Sequence, residues 1–185
     1  MKPILLIASL LICNVIIAQT LLINPAGAGG FETGADFAAN GWTVVNGAAT
    51  PLNKWQLGTA VSATGFTNRS AYISNNDGAN HAYTPNANSL VHFYRDITFP
   101  AGETNISLSF TFLCDGDYSG GGSLYDGLQV SLASTSTTPT ASSATGGGNV
   151  KGPLVAGATI IGNILYNGFQ GYQQTGTLTI TIPAA

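Results

Sequence analysis

Apolar and polar residues alternate along two stretches of the chain, first through Ile106, Leu108, Phe110 and Phe112 and then through Leu128, Val130 and Leu132. Successive side chains of a strand point to opposite faces, so a period of two describes strands with one buried face. Between these runs sits an acidic, glycine-rich loop holding Asp115, Asp117 and Asp126. Strand character extends to Trp42–Asn46, Lys54–Gly58, Ser70–Ser74, Leu90–Phe99, Asn105–Leu113, Gly127–Ala133, Thr159–Leu165 and Thr177–Ile182. The separators are rich in Gly, Asn, Pro and Ser, the residues that bound strands. No segment has the periodicity of a helix. Short strands at this spacing predict an all-β domain, an antiparallel β-sandwich of jelly-roll type. Phe99-Pro100-Ala101-Gly102 is a turn signal, which predicts that Leu90–Phe99 and Asn105–Leu113 are sheet neighbours. The Ser/Thr/Gly-rich segment Ser134–Asn149 reads as a long mobile loop inside the domain.

The first residues alter this picture by setting the compartment. Met1-Lys2 supplies a short positive region, Ile4 to Ile17 is apolar apart from Ser9 and Asn14, and Ala18 is an acceptable cleavage position. The apolar run is short for a membrane span, so residues 1–18 read as a signal peptide, with a signal anchor as the alternative. Ile12 stands before Cys13 where a lipoprotein signal carries a small residue, so the expected product is secreted and not lipidated. Residues 19–30 form an N-terminal extension and residues 31–185 the domain.

Charge then narrows the partners. The 185 residues hold five Lys/Arg against eight Asp/Glu, and only 7% are charged. No basic patch is available for nucleic acid or for an anionic membrane. Hydroxyls and amides must cover the surface, which suits an exported sheet protein. With Cys13 in the leader, no second cysteine is left for an internal disulfide with Cys114. It reads as a buried thiol, or else as one half of an intermolecular bridge.

A series of short elements runs along the chain in a definite order: Phe31-Glu32, Gly41-Trp42, Lys54-Trp55, Ser70-Ala71-Tyr72-Ile73-Ser74, Tyr94-Arg95-Asp96-Ile97 with Phe99-Pro100, Ile106 to Phe110, and Tyr125-Asp126-Gly127-Leu128. This order resembles the choice-of-anchor J domains of exported Bacteroidota proteins, which are similar to the cleaved-adhesin domains of gingipains and more remotely to MAM domains. The resemblance spans Phe31 to about Ile182. It implies a jelly-roll sandwich that is exported and non-catalytic, often attached to proteases or large adhesins and often leaving by the type IX route. Family members continue into further strands ending near an Ala-x-Asp-Asn-Ile motif and carry a separate sorting domain. Neither follows Thr177–Ile182 here, so the domain is expected to be incomplete at its C-terminus. Unpaired sheet edges would then favour self-association through strand donation.

The sharpest chemical signal is the loop Asp115-Gly116-Asp117-Tyr118-Ser119-Gly120, closed by Asp126. Counted from Asp115, oxygen-bearing residues fall at positions 1, 3, 5 and 9, with glycine at 6 and a carboxylate at 12. That is the ligand spacing of an EF-hand-type calcium loop, with Asp in place of the usual bidentate Glu. The other reading is a solvated hairpin loop in which Asp, Gly and Ser form turns. The metal set is therefore Asp115, Asp117, Ser119 and Asp126, with structural Ca2+ as the cofactor. Glu32 joins it through the resemblance, because related sandwiches place this early glutamate in a calcium site with the Asp of the closing motif. Tyr118 and Tyr125 flank the loop and are the candidate ligand-binding residues. Trp42 and Trp55 match core positions of the family and read as packing. Asp77 reads as a turn residue.

Catalysis finds little support. No Gly-x-Ser-x-Gly occurs, and His81 and His92 lack the spacing of a zinc pair. Asp115, Asp117 and Asp126 could approach as paired carboxylates, but nothing marks one as the acid of a glycosidase. The function expected is an exported binding or adhesion module for an extracellular glycan or protein. The alternatives are a structural subunit of a surface fibre or matrix and, with less support, a hydrolase-associated domain.

Overall fold

The computed structural model describes residues 20–47, 52–61, 66, 68–85, 87–103, 106–114, 126–143, 153–165 and 174–182. Eight strands follow in order: β1 (Thr43–Val45), β2 (Lys54–Gly58), β3 (Ser70–Ser74), β4 (His92–Tyr94), β5 (Ile106–Cys114), β6 (Gly127–Leu132), β7 (Thr159–Leu165) and β8 (Gln174–Ile182). The one helical piece among the described residues is a single 3-10 turn, Ala38–Asn40, ended by Gly41 at φ 72°. The protein is all-β in these residues. None of their helices is long and apolar enough to cross a membrane.

All pairing is antiparallel, as the ladders β1–β4, β2–β3, β5–β8 and β6–β7. The expected pairing of β4 with β5 is not the one formed: β4 pairs with β1, and β5 with β8. The turn between them is real. Glu103 donates its N–H to the Pro100 carbonyl at 3.3 Å, and Gly102 takes φ 85°. Yet β4 ends at Tyr94, and Arg95 to Phe99 runs on without ladder bonds. Pro100 has no N–H to offer a ladder. The turn therefore joins two different sheets instead of closing a hairpin.

The first part of the expected mobile loop is also held in place. Leu90 and Ser142 exchange both backbone hydrogen bonds, at 2.7 and 2.9 Å. Residues 140–142 thus lie beside the segment that leads into β4, tied to it by a single bridge.

Two hydrophobic clusters hold the ladders. In the first, Phe93 of β4 is the hub: its ring centroid lies 4.8 Å from Trp55, 5.3 Å from Trp42, 5.5 Å from Phe37 and 6.3 Å from Phe31. Both indoles are satisfied, Trp42 donating to the Ala28 carbonyl at 3.1 Å and Trp55 to the Val91 carbonyl at 3.2 Å. Tryptophan can be packed away only when its N–H finds such an acceptor. In the second cluster Phe112 and Cys114 of β5 are buried, with Phe110 and Leu128 of β6 packed on them. Here the alternation read from the sequence holds: Ile106, Leu108, Phe110 and Phe112 face inward, and Ser107, Ser109 and Thr111 face out. The β6–β7 ladder carries a bulge, since Val130 pairs with Gly162 and Ser131 with Ile160.

Candidate functional site

Asn40 fixes the loop ahead of Gly41-Trp42. It is fully buried; its Oδ1 accepts from the Thr33 N–H at 2.9 Å, and its Nδ2 donates to the Gly34 and Asp36 carbonyls at 3.0 and 2.7 Å. A buried amide satisfied on both sides locks a loop, because any other conformation would strand three polar groups. Asn53 acts in the same way further on. Its Oδ1 accepts from the Thr84 N–H at 2.7 Å, while its Nδ2 reaches the Thr84 and Ala87 carbonyls. Asn46 extends β1 toward β2 with its side chain, accepting the Trp55 N–H and donating to the Trp55 carbonyl, both at 2.8 Å.

Glu32 sits in this framework. The preceding Phe31 adopts φ 63°, a left-handed conformation that costs a bulky residue on the order of 1–3 kcal/mol. Ring packing against Phe37 and Trp42 holds it there. The Glu32 N–H donates to the Gly27 carbonyl, and its exposed carboxylate accepts the Arg69 N–H at 2.9 Å. Its observed role is to clip the entry of β3 to the Phe31 turn.

Arg95 lies flat against Gly41, with its Cζ 3.3 Å from where a Cβ would stand and 5.9 Å from the centre of the Trp42 ring. It donates to the Asn40 carbonyl at 3.3 Å. The absence of a side chain at Gly41, together with its positive φ, makes this approach possible.

Of the acidic loop, only Asp126 lies within the described residues, half-buried at the start of β6. Asp115, Asp117, Ser119, Tyr118 and Tyr125 lie outside them. Among the described residues no group of three or more His, Cys, Asp or Glu side chains is disposed to hold a metal ion, so neither Glu32 nor Asp126 belongs to one there.

The histidines are separately engaged. His81 Nδ1 is 2.9 Å from the Ala60 carbonyl, and His92 Nε2 is 3.2 Å from the Thr140 carbonyl. A carbonyl can only accept, so each of these nitrogens carries its proton. Burial pushes the His92 imidazole below its ordinary value, and the bond to Thr140 only partly offsets that. Asp77 takes φ 56° in the turn after β3, as its sequence context predicts. Cys114 is a buried thiol in the second cluster, and Trp42 and Trp55 are packing residues in the first.

Sequence reasoning missed Phe93, Asn40 and Asn53. Phe93 is one aromatic among several in Ser89–Phe99, and its central place depends on a pairing with β1 that turn chemistry did not announce. Asn40 and Asn53 stand in Gly/Asn/Pro-rich separators, where an asparagine ordinarily signals only a turn.

Compared with known proteins, the chain matches no family model, no curated protein and no solved structure. Its class therefore rests on its own residues: an all-β protein of paired antiparallel ladders, organised around an aromatic hub and buried asparagines.

Proposed function

We propose that the chain is an exported, non-catalytic module, a β-sandwich of jelly-roll type related to the choice-of-anchor J and cleaved-adhesin domains. It recognises an extracellular glycan or protein, or targets a larger exoprotein. One observation carries this reading. Phe31, Trp42 and Trp55, three widely separated positions of the resemblance, converge on Phe93, which lies just before its Tyr94-Arg95 element. A shared core requires such convergence, whereas a chance run of short motifs does not. The leader at residues 1–18 supports secretion, and the low charge disfavours nucleic acid and anionic membranes as partners.

The test is binding of the mature chain, residues 19–185, to glycan and extracellular-protein arrays. A folded sample silent on both would overturn the reading. In the same proposal the acidic loop with Asp115, Asp117, Ser119 and Asp126 holds a structural calcium ion, and Tyr118 and Tyr125 beside it contact ligand. Calcium binding stabilises the folded state by mass action, so a chelator lowers the melting temperature. A melting temperature indifferent to chelator and added calcium would remove the metal. A structural subunit of a surface assembly is the second reading, favoured by the two-stranded ladders of the described chain. Light scattering separates the two, since a monomer at all concentrations excludes strand-swapped assembly.

A further inference from the structure

Asparagine followed by glycine is a chemically weak junction, because glycine has no Cβ to shield its own nitrogen from the side chain before it. The chain carries this pair at Asn40-Gly41, Asn46-Gly47 and Asn167-Gly168, the last outside the described residues. In the reaction the glycine nitrogen attacks the asparagine Cγ. The Cγ–Nδ2 bond breaks, ammonia leaves with the proton given up by the glycine nitrogen, and a five-membered succinimide closes. Water then opens the ring at either carbonyl, giving aspartate or isoaspartate. No catalyst is needed. The glycine nitrogen must be free to lose its proton, and the Cγ must be free to swing toward it.

The two described junctions differ in both respects. Gly41 donates its N–H to the Ala38 carbonyl at 2.9 Å. Asn40 is fully buried, and its amide is fixed within its own loop by the Thr33 N–H and the Gly34 and Asp36 carbonyls. Gly47, by contrast, is exposed at φ 71°, and its N–H donates no hydrogen bond among the described residues. Asn46 is half-buried just past the end of β1, and its amide is restrained by the N–H and carbonyl of Trp55, both at 2.8 Å. Those two bonds cross to another strand, so a local opening between Asn46 and β2 releases the Cγ. Half-exposed connections of this kind open more often than buried loops.

The product matters because of what the amide holds. An aspartate at this position still accepts the Trp55 N–H but has no donor for the Trp55 carbonyl, and it sets a negative charge against that carbonyl. Isoaspartate also adds a methylene to the main chain and so moves the acceptor out of place. We propose that Asn46-Gly47 is a site of spontaneous deamidation, and that its conversion opens the clip from β1 to β2 irreversibly as the protein ages. This goes beyond the binding reading and does not depend on it, because neither the acidic loop nor a ligand takes part.

The test follows the mature chain in mildly alkaline buffer, native and in urea. Chymotryptic cleavage after Trp42 puts Asn40 and Asn46 in separate peptides, and mass spectrometry reads the conversion of each amide to acid. In urea the two should react at similar rates. In the native chain Asn46 should react at least about tenfold faster than Asn40, equivalent to about 1.4 kcal/mol. A native Asn46 that reacts no faster than native Asn40 would overturn the site. The clip is tested with Asn46→Asp, which should melt below wild type and shift the tryptophan emission. Should that variant not fold, aged wild type carrying the acid at position 46, separated by its added charge, gives the same reading. Melting and emission unchanged from the fresh protein would overturn the opening of the clip.

Discussion

Single side chains decide the local structure at two places. Phe93 touches four other rings, so its truncation opens a cavity in the middle of the first cluster. It is half-buried, which puts Phe93→Ala at the low end for such changes, about 3 kcal/mol. Urea denaturation followed by tryptophan fluorescence measures this directly, because the chain's two tryptophans both lie against Phe93. Asn40→Ala removes two N–H donors and one acceptor and strands the Thr33 N–H with the Gly34 and Asp36 carbonyls. Loss of about 2 kcal/mol or more is expected. Asn40→Asp should not rescue it, since a carboxylate can accept from Thr33 but cannot donate to the two carbonyls. Equal stability of the aspartate variant and wild type would show that the amide donors do not matter.

At the scale of elements, β4 is the strand on which most depends, although its ladder covers only three residues. It pairs with β1, and residues 140–142 are tied to it and to the segment before it by His92 to Thr140 and by the Leu90–Ser142 bridge. His92 makes this arrangement sensitive to pH. Its imidazole is lowered in the folded state by burial, so the folded chain holds it neutral where the unfolded chain binds a proton. The stability it contributes is full above the ordinary value of about 6.5 and declines as the pH falls through that value toward the lowered one. A His92→Gln variant should therefore lose less stability than wild type on going from neutral to mildly acidic pH. Identical pH profiles of the two proteins would refute this. The same elements show how far the sequence could be read. Lys54–Gly58, Ser70–Ser74 and Thr159–Leu165 form strands at the positions their composition indicates, because turn residues bound them on both sides. Pairing was less legible. The Pro100–Gly102 turn is chemically a turn whether it closes a hairpin or links two sheets, and only the length of β4 distinguishes the cases. The alternation in β5 gave its buried face correctly, but in β3 the buried positions are Ser70, Tyr72 and Ser74. There Ser74 Oγ receives the Asn76 and Gly78 N–H groups, and the Tyr72 hydroxyl donates to the Gly78 carbonyl. Tyr72 and Ser74 are thus satisfied by the loop that follows, Ser70 Oγ has no hydrogen-bond partner among the described residues, and such a buried polar face leaves no hydrophobic signature. Of the candidate site, only the placement of Glu32 and Asp126 can be compared, and the clip from Glu32 to the Arg69 backbone depends on distant chain segments that no local spacing encodes.

For the whole molecule, the question is whether the two hydrophobic clusters melt together. A two-stranded ladder is at best marginally stable in water, so each must be held by what packs on its face. The first cluster binds the Phe31 and Phe37 segments to Trp42 just ahead of β1, to β2 and to β4; the second binds β5 to β6 through Leu128. Among the described residues, the bridge from Leu90 to Ser142 and the bond from His92 to Thr140 tie the chain after β6 back to β4. Those few hydrogen bonds are each worth about 1 kcal/mol net, far less than a shared core would contribute. Weakening the second cluster should then loosen β5 to β8 before it loosens the surroundings of the tryptophans. In Phe112→Ala, the far-ultraviolet dichroism midpoint should fall below the tryptophan-fluorescence midpoint, where in wild type the two lie closer. Transitions that stay coincident in the variant would show that the clusters form a single cooperative unit. In that case Phe93→Ala and Phe112→Ala would each shift both signals alike, and Leu90→Pro, which removes the N–H that bonds Ser142, should destabilise the whole chain instead of separating its halves.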